Sequence, residues 1–234
     1  MVEKPAIVLF HGAIGDQTQM LRLAALLEEK FTVHCPDFPG HGSDIGTCPP
    51  LMEELASSID HILAGISESP VYAFGYSMGG YAAAFFAAKY KGRIKALATY
   101  GTKWHWNEEV VRRETAMLDA GKMMEKVPEF ARKLEAQHTG MGWIPLLAAT
   151  RNIMEDLGKR EAFYRQILSQ LNVPMLILRG EKDNMVGSGE GIWLTEMHAS
   201  IQYRELEAQK HAFDQVDADF LVTVLQQAGI YDVE

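Results

Sequence analysis

Val71-Tyr72-Ala73-Phe74-Gly75-Tyr76-Ser77-Met78-Gly79-Gly80-Tyr81-Ala82-Ala83-Ala84 is the stretch that decides how this chain folds. Four residues suited to a buried strand run into a Gly-x-Ser-x-Gly turn. The alanine-rich residues 80–90 that follow contain no proline and suit a packed helix. In so sharp a strand-to-helix turn the two backbones approach until a Cβ two residues before or after the serine would collide, which is a mechanical reason for Gly75 and Gly79. The same turn holds Ser77 strained, with its hydroxyl exposed, which is the placement of a nucleophile.

Outward from that turn, short apolar runs alternate with helical patterns. Strands are predicted at 6–10, 32–35, 71–74, 94–100, 174–179 and 201–205, and helices at 18–29, 52–64, 78–90, 190–199 and 214–228. Such alternation builds an α/β fold, a mostly parallel sheet of about six strands flanked by helices on both faces. It breaks between Thr102 and Leu171, where helical patterns at 107–120, 129–138, 143–157 and 160–171 have no strand among them. This segment reads as an inserted helical cap over 102–170, with 1–101 and 171–234 forming the core.

With 234 residues, 47% hydrophobic and 23% charged, the chain suits one large domain carrying an insertion. A net charge of −9 and the lack of any basic run argue against nucleic acid or an anionic membrane as partner. The first apolar run, 6–10, is too short for a signal-peptide core or a membrane span, so a cytoplasmic location is expected. Cys35 and Cys48 are the only cysteines and read as small apolar residues. No histidine or cysteine spacing resembles a metal site, so neither metal nor cofactor is expected.

A serine hydroxyl is a weak nucleophile at neutral pH and needs a base within hydrogen-bond reach, itself oriented by a carboxylate. The strand at 174–179 runs into Gly180-Glu181-Lys182-Asp183, placing Asp183 at the carboxyl edge of the sheet, where sites assemble in α/β folds. The loop after 201–205 brings His211 to the same edge. His198 falls inside a predicted helix, and Glu181 and Asp214 are spare carboxylates. Donors for a developing oxyanion are assigned to the Met78 amide, next to the nucleophile, and to the loop His11-Gly12-Ala13-Ile14-Gly15-Asp16, with Ala13 preferred and Ile14 second. His11 reads as a brace for that loop rather than as a base.

With His11-Gly12 after one strand, Asp37-Phe38-Pro39-Gly40-His41-Gly42-Ser43 after the next and the serine turn after the third, the chain resembles the α/β-hydrolase superfamily, over nearly its whole length outside the cap. The resemblance implies a Ser77, Asp183, His211 triad in that chain order, with Ala13 and Met78 at the oxyanion positions. It makes the segment 37–43 a structural turn, so His41 and Ser43 carry no catalytic role. Many members begin with an antiparallel hairpin for which there is no room before Ala6, hence the expected reduced, all-parallel sheet.

Specificity is expected in the cap. Methionines and tryptophans between Thr102 and Leu171 mostly read as packing, but Trp104 and Trp106 leave a strand at the active edge and, with Ile14, are the candidate substrate contacts. The expected activity is hydrolysis of a small carboxylic ester or thioester through an acyl-enzyme on Ser77, by a monomer or homodimer acting on a small molecule with an apolar acyl or aromatic group. The alternatives are a lyase or carbon–carbon bond hydrolase on the same fold, such as one eliminating pyruvate in menaquinone synthesis, and a ligand-binding protein without turnover.

Overall fold

The structure, a computed structural model, describes residues 4–67 and 70–231. In chain order its elements are β1 (Ala6–Phe10), α1 (Leu21–Leu27), β2 (Thr32–His34), α2 (Met52–Ala64), β3 (Val71–Tyr76), α3 (Met78–Lys89), β4 (Ile94–Tyr100), α4 (Glu108–Ala116), α5 (Ala120–Lys126), α6 (Pro128–Gln137), α7 (Trp143–Lys159), α8 (Glu161–Leu168), β5 (Met175–Gly180), α9 (Ile192–Met197), β6 (Ile201–Leu206) and α10 (Ala218–Gln227). Short 3-10 turns at Gln17–Met20 and Phe213–Gln215 precede α1 and α10.

The strands form one six-stranded sheet in the order β2-β1-β3-β4-β5-β6, and every pairing is parallel. Alternate residues of each strand face opposite layers, because side chains alternate across a pleated sheet. Val8 and Phe10 join the layer of α2, α3, α7 and α8, whereas Ile7 and Leu9 join that of α1 and α10. Both faces are therefore dry, as a parallel sheet requires. Helix α3 is buried from Met78 to Ala88, since its alanines let it sit flush between sheet and neighbouring helices.

Five helices fill the connection between β4 and β5, one more than the sequence suggests. The sequence pattern predicts one helix over 107–120, but α4 ends at Ala116 and a new start follows, where the Asp119 side chain accepts the Lys122 N–H and caps α5. The insertion is also less separate than its pattern implies. Leu146 and Ile153 of α7, and Tyr164 and Leu168 of α8, belong to the main core, while Leu118, Met123, Leu134, Trp143 and Leu147 form a small core of their own. Cys35 and Cys48 are free thiols. Among the described residues, no helix is long and apolar enough to cross a membrane.

Candidate active site

Ser77 stands between β3 and α3 with φ 50° and ψ −114°, a left-handed conformation that a non-glycine residue adopts only when its surroundings enforce it. Its N–H donates to the Tyr100 carbonyl at 2.8 Å, and its own carbonyl accepts from Thr102 Oγ1 at 3.0 Å. The glycines around it are sterically obligatory. A Cβ on Gly75 would meet Gly80 N at 2.5 Å, and one on Gly79 would meet the His11 carbonyl oxygen at 2.5 Å. The serine is thus gripped from β4 and from the loop after β1 as well as by its own turn.

Asp183 and His211 arrive from the ends of β5 and β6. The two loops touch: Lys182 N–H donates to the Gln209 carbonyl at 2.9 Å, and a Cβ on Gly180 would collide with that same Gln209 backbone. His211 Nδ1 lies 2.8 Å from Asp183 Oδ2. The other carboxylate oxygen, Oδ1, accepts the N–H groups of Met185 and Val186 at 2.8 and 2.9 Å. Burial by itself would raise the Asp183 carboxyl, but the hydrogen bond and charge of His211, with those two amides, outweigh it and hold the group below the usual carboxylate range. An ionised Asp183 accepts from Nδ1–H, which leaves Nε2 of His211 as the nitrogen able to take a proton.

Ser77, His211, Met78, Ala13 and Ile14 line one cavity of about 810 Å³ between the sheet edge and the insertion. Trp106, Met154 and Leu157 contribute apolar wall. Trp104 is elsewhere. It is 1% exposed, stacked on Tyr81 with ring centroids 5.5 Å apart, and lies outside the cavity lining, because the segment after β4 turns its first tryptophan down into the core. Of the two tryptophans read as substrate contacts, only Trp106 reaches the cavity. His105 is half-exposed and engages Arg165 at 3.1 Å.

His11 is fully buried. Its Nε2 accepts the Phe38 N–H at 3.1 Å, so its proton sits on Nδ1, 2.9 Å from the Gly12 carbonyl. Burial pushes its pKa down to about 4, and that of His41 to about 3 with the neighbouring His11 as the next cause. Both are neutral struts.

The loop after β1 closes as a turn, with Gly15 N–H on the Gly12 carbonyl at 3.2 Å, and places Ile14 at φ 51°. Positive φ at the third turn residue is the type II signature, normally given to glycine. A β-branched residue there is strained by about 1–3 kcal/mol.

Sequence reasoning missed three participants. Lys103 and Glu114 line the cavity as a buried ion pair, Nζ to Oε1 3.4 Å, at 7% and 2% exposure. Lys103 Nζ also donates to the Met185 carbonyl, and Arg113 reaches Glu114 at 2.9 Å. His138, at the end of α6, donates through Nε2 to the Ile14 carbonyl at 3.0 Å. Nothing local in the sequence marks these residues, since each acquires its partner from a distant element. Among the described residues, no group of three or more histidine, cysteine or acidic side chains could hold a metal ion.

A hydroxyl and an imidazole oriented by a carboxylate at one cavity are equipment for nucleophilic acyl transfer. The sequence family described as alpha/beta hydrolase fold matches residues 5–152. A pimeloyl-(acyl-carrier protein) methyl ester esterase of Chromobacterium violaceum is 26% identical over 230 residues, covering 89% of this chain and 87% of that protein. A 3-oxoadipate enol-lactonase 2 of Acinetobacter baylyi is 23% identical over 228 residues, with 87% and 81% covered. Among solved structures, NosK from Streptomyces actuosus superposes with a TM-score of 0.79 at 18% identity, covering 97% of this chain and 98% of that one.

Proposed function

Because the chain belongs to the α/β-hydrolase fold family, we propose that it is a serine hydrolase cleaving a small carboxylic ester or thioester through an acyl-enzyme on Ser77. The observation that carries this reading is the 2.8 Å contact of His211 Nδ1 with Asp183 Oδ2 at the rim of the cavity that Ser77 also lines. His211 Nε2 takes the Ser77 proton as Oγ attacks the carbonyl carbon, and Asp183 stabilises the imidazolium. The oxyanion is received by the Ala13 and Met78 amides. Collapse of the tetrahedral adduct expels the alcohol or thiol with the proton from Nε2, and a water activated by the same imidazole then releases the acid and restores Ser77.

A cavity of about 810 Å³ lies within the range of roughly 300–1,000 Å³ typical of small-molecule sites. Ile14, Trp106 and Met154 in its wall suit a medium-length acyl or aromatic group. The insertion, 102–170 by sequence, serves as the cap that selects it. The esterase and enol-lactonase named above act on carboxylic ester linkages, which supports the same bond type here. We infer a monomer or homodimer working in the cytoplasm on a small molecule, with no nucleic acid or membrane as partner.

The decisive experiment is labelling with a fluorophosphonate probe beside a panel of activated esters and thioesters of graded acyl length. Labelling of the wild type that is lost in Ser77→Ala, with turnover of the panel, is expected. Labelling that survives in Ser77→Ala removes the assignment, and labelling without turnover of any ester points to elimination or carbon–carbon cleavage.

A further inference from the structure

We propose that His138, carried on the insertion, is a positioning residue that holds the Gly12–Gly15 turn in its strained form and thereby keeps the oxyanion side of the site assembled. The inference rests on the serine-nucleophile reading above. Two independent observations meet at Ile14: its left-handed backbone, φ 51°, and a histidine 124 residues away bonded to its carbonyl.

The direction of that bond is settled by the other ring nitrogen. Nδ1 of His138 lies 3.0 Å from the Gly42 N–H, which can only donate, so Nδ1 carries the lone pair and the proton is on Nε2. Nε2–H therefore donates to the Ile14 carbonyl at 3.0 Å. The ring is 2% exposed, so water does not compete for either nitrogen. The Ile14 side chain adds a second hold, resting against the insertion's own core of Leu118, Met123, Leu134, Trp143 and Leu147.

Unheld, an isoleucine at this turn position relaxes to negative φ. Rotation about the Ile14 N–Cα bond swings its carbonyl away from His138 Nε2–H and opens the turn that the Gly15 N–H closes on the Gly12 carbonyl. Ala13, between Gly12 and Ile14 in that turn, lines the cavity and loses its fixed position as the turn opens. The Ala13 amide is then no longer held for the oxyanion, and the site loses its preorganisation for negative charge. The His138 hydrogen bond opposes this rotation from outside the turn, so the readiness of the oxyanion side depends on the insertion being seated.

The test compares wild type with His138→Gln, His138→Asn and His138→Ala on an activated ester, reading kcat, KM, the fluorophosphonate labelling rate of Ser77 and the thermal midpoint. Glutamine places an amide N–H where Nε2–H lies, whereas asparagine replaces only the Nδ1 end. His138→Ala and His138→Asn are expected to lower kcat and the labelling rate about 10- to 100-fold with KM changed less than about threefold, and His138→Gln to recover most of both. In an Ile14→Gly background, where positive φ is unstrained, the effect of His138→Ala should shrink to about threefold or less. Equal impairment of the asparagine and glutamine variants, additive effects with Ile14→Gly, or losses that merely follow the thermal midpoint would overturn the proposal. Absence of labelling in the wild type would instead end the serine-nucleophile reading, and this proposal with it.

Discussion

His211 Nδ1 lies 2.8 Å from Asp183 Oδ2, although the two are 28 positions apart in the chain with the whole of β6 between them. The contact exists because two successive strand ends, β5 and β6, stop at the same edge and their loops are pressed together at Gly180 and Gln209. With Asp183 ionised, the contact places the His211 proton on Nδ1 and leaves Nε2 free to accept one.

Asp183→Asn should preserve the fold and lose the tautomer. The amide can donate to Nδ1, pushing the proton to Nε2 and leaving no base for the hydroxyl. A fall in kcat of about 10⁴-fold with little change in KM is expected. Steady-state kinetics retaining a tenth or more of wild-type kcat would contradict the assigned orientation.

Gly101 follows β4 at φ 63°, and a Cβ there would lie 3.2 Å from His211 Nδ1 and 3.6 Å from Asp183 Oδ2. Gly101→Ala is expected to cost about 1–2 kcal/mol of stability from the backbone alone. By displacing the imidazole it should also lower kcat by about tenfold or more. Urea denaturation and kinetics on the same preparation separate the two effects, and an unchanged kcat would show that the ring accommodates the methyl.

At the serine turn, Gly79→Ala drives a methyl into the backbone carbonyls of Phe10 and His11, at 2.6 and 2.5 Å. The strand and helix cannot separate without opening the core, so loss of soluble protein or destabilisation above about 3 kcal/mol is expected. Gly65→Ala is the control. Its φ is −79° and the nearest atom is 3.6 Å away, so a change within about 1 kcal/mol, of either sign, should be measured.

The Lys103–Glu114 pair is buried at 3.4 Å beside the cavity. Replacing one charge strands the other, so Glu114→Leu should destabilise by about 3 kcal/mol, while Lys103→Met with Glu114→Leu should recover much of that loss. A urea double-mutant cycle reads the coupling. Additive effects would show that the two charges act independently.

Stability should fall on mild acidification. His11 and His41 are neutral when folded, with pKa values held down at about 4 and about 3, against 6.5 for the free side chain. Below pH 6.5 the unfolded chain binds protons that the folded chain refuses, so stability declines by about 1.4 kcal/mol per pH unit for each such histidine until the folded values are reached. Urea midpoints at pH 7.5 and 5 should differ accordingly, and His11→Gln should flatten the slope between them. Equal midpoints in the wild type would show that these rings are not kept neutral.

Much of the architecture was legible in the sequence because it is encoded locally. Six apolar runs separated by crossover lengths define a parallel sheet, and strands 94–100 and 6–10 lie where the sequence puts them. Ser77, Asp183 and His211 could be placed at one edge because each follows a strand, and parallel strands end on the same side. Helix α5 escaped because Gly121 weakens its helical pattern, while its cap, Asp119, looks like part of the preceding helix.

The sequence by itself determined the six strands, most of the helices, where the serine turn lies and which loops gather at the carboxyl edge, since periodicity and turn chemistry act over a few residues. Only the tertiary structure decided that Trp104 is core while Trp106 lines the cavity, that Lys103 meets Glu114, and that His138 grips Ile14. Those outcomes depend on how the insertion's helices lie against the sheet. An apolar stripe or an isolated histidine records that a residue is to be buried, but its partner is set by the packing of elements far apart in the chain.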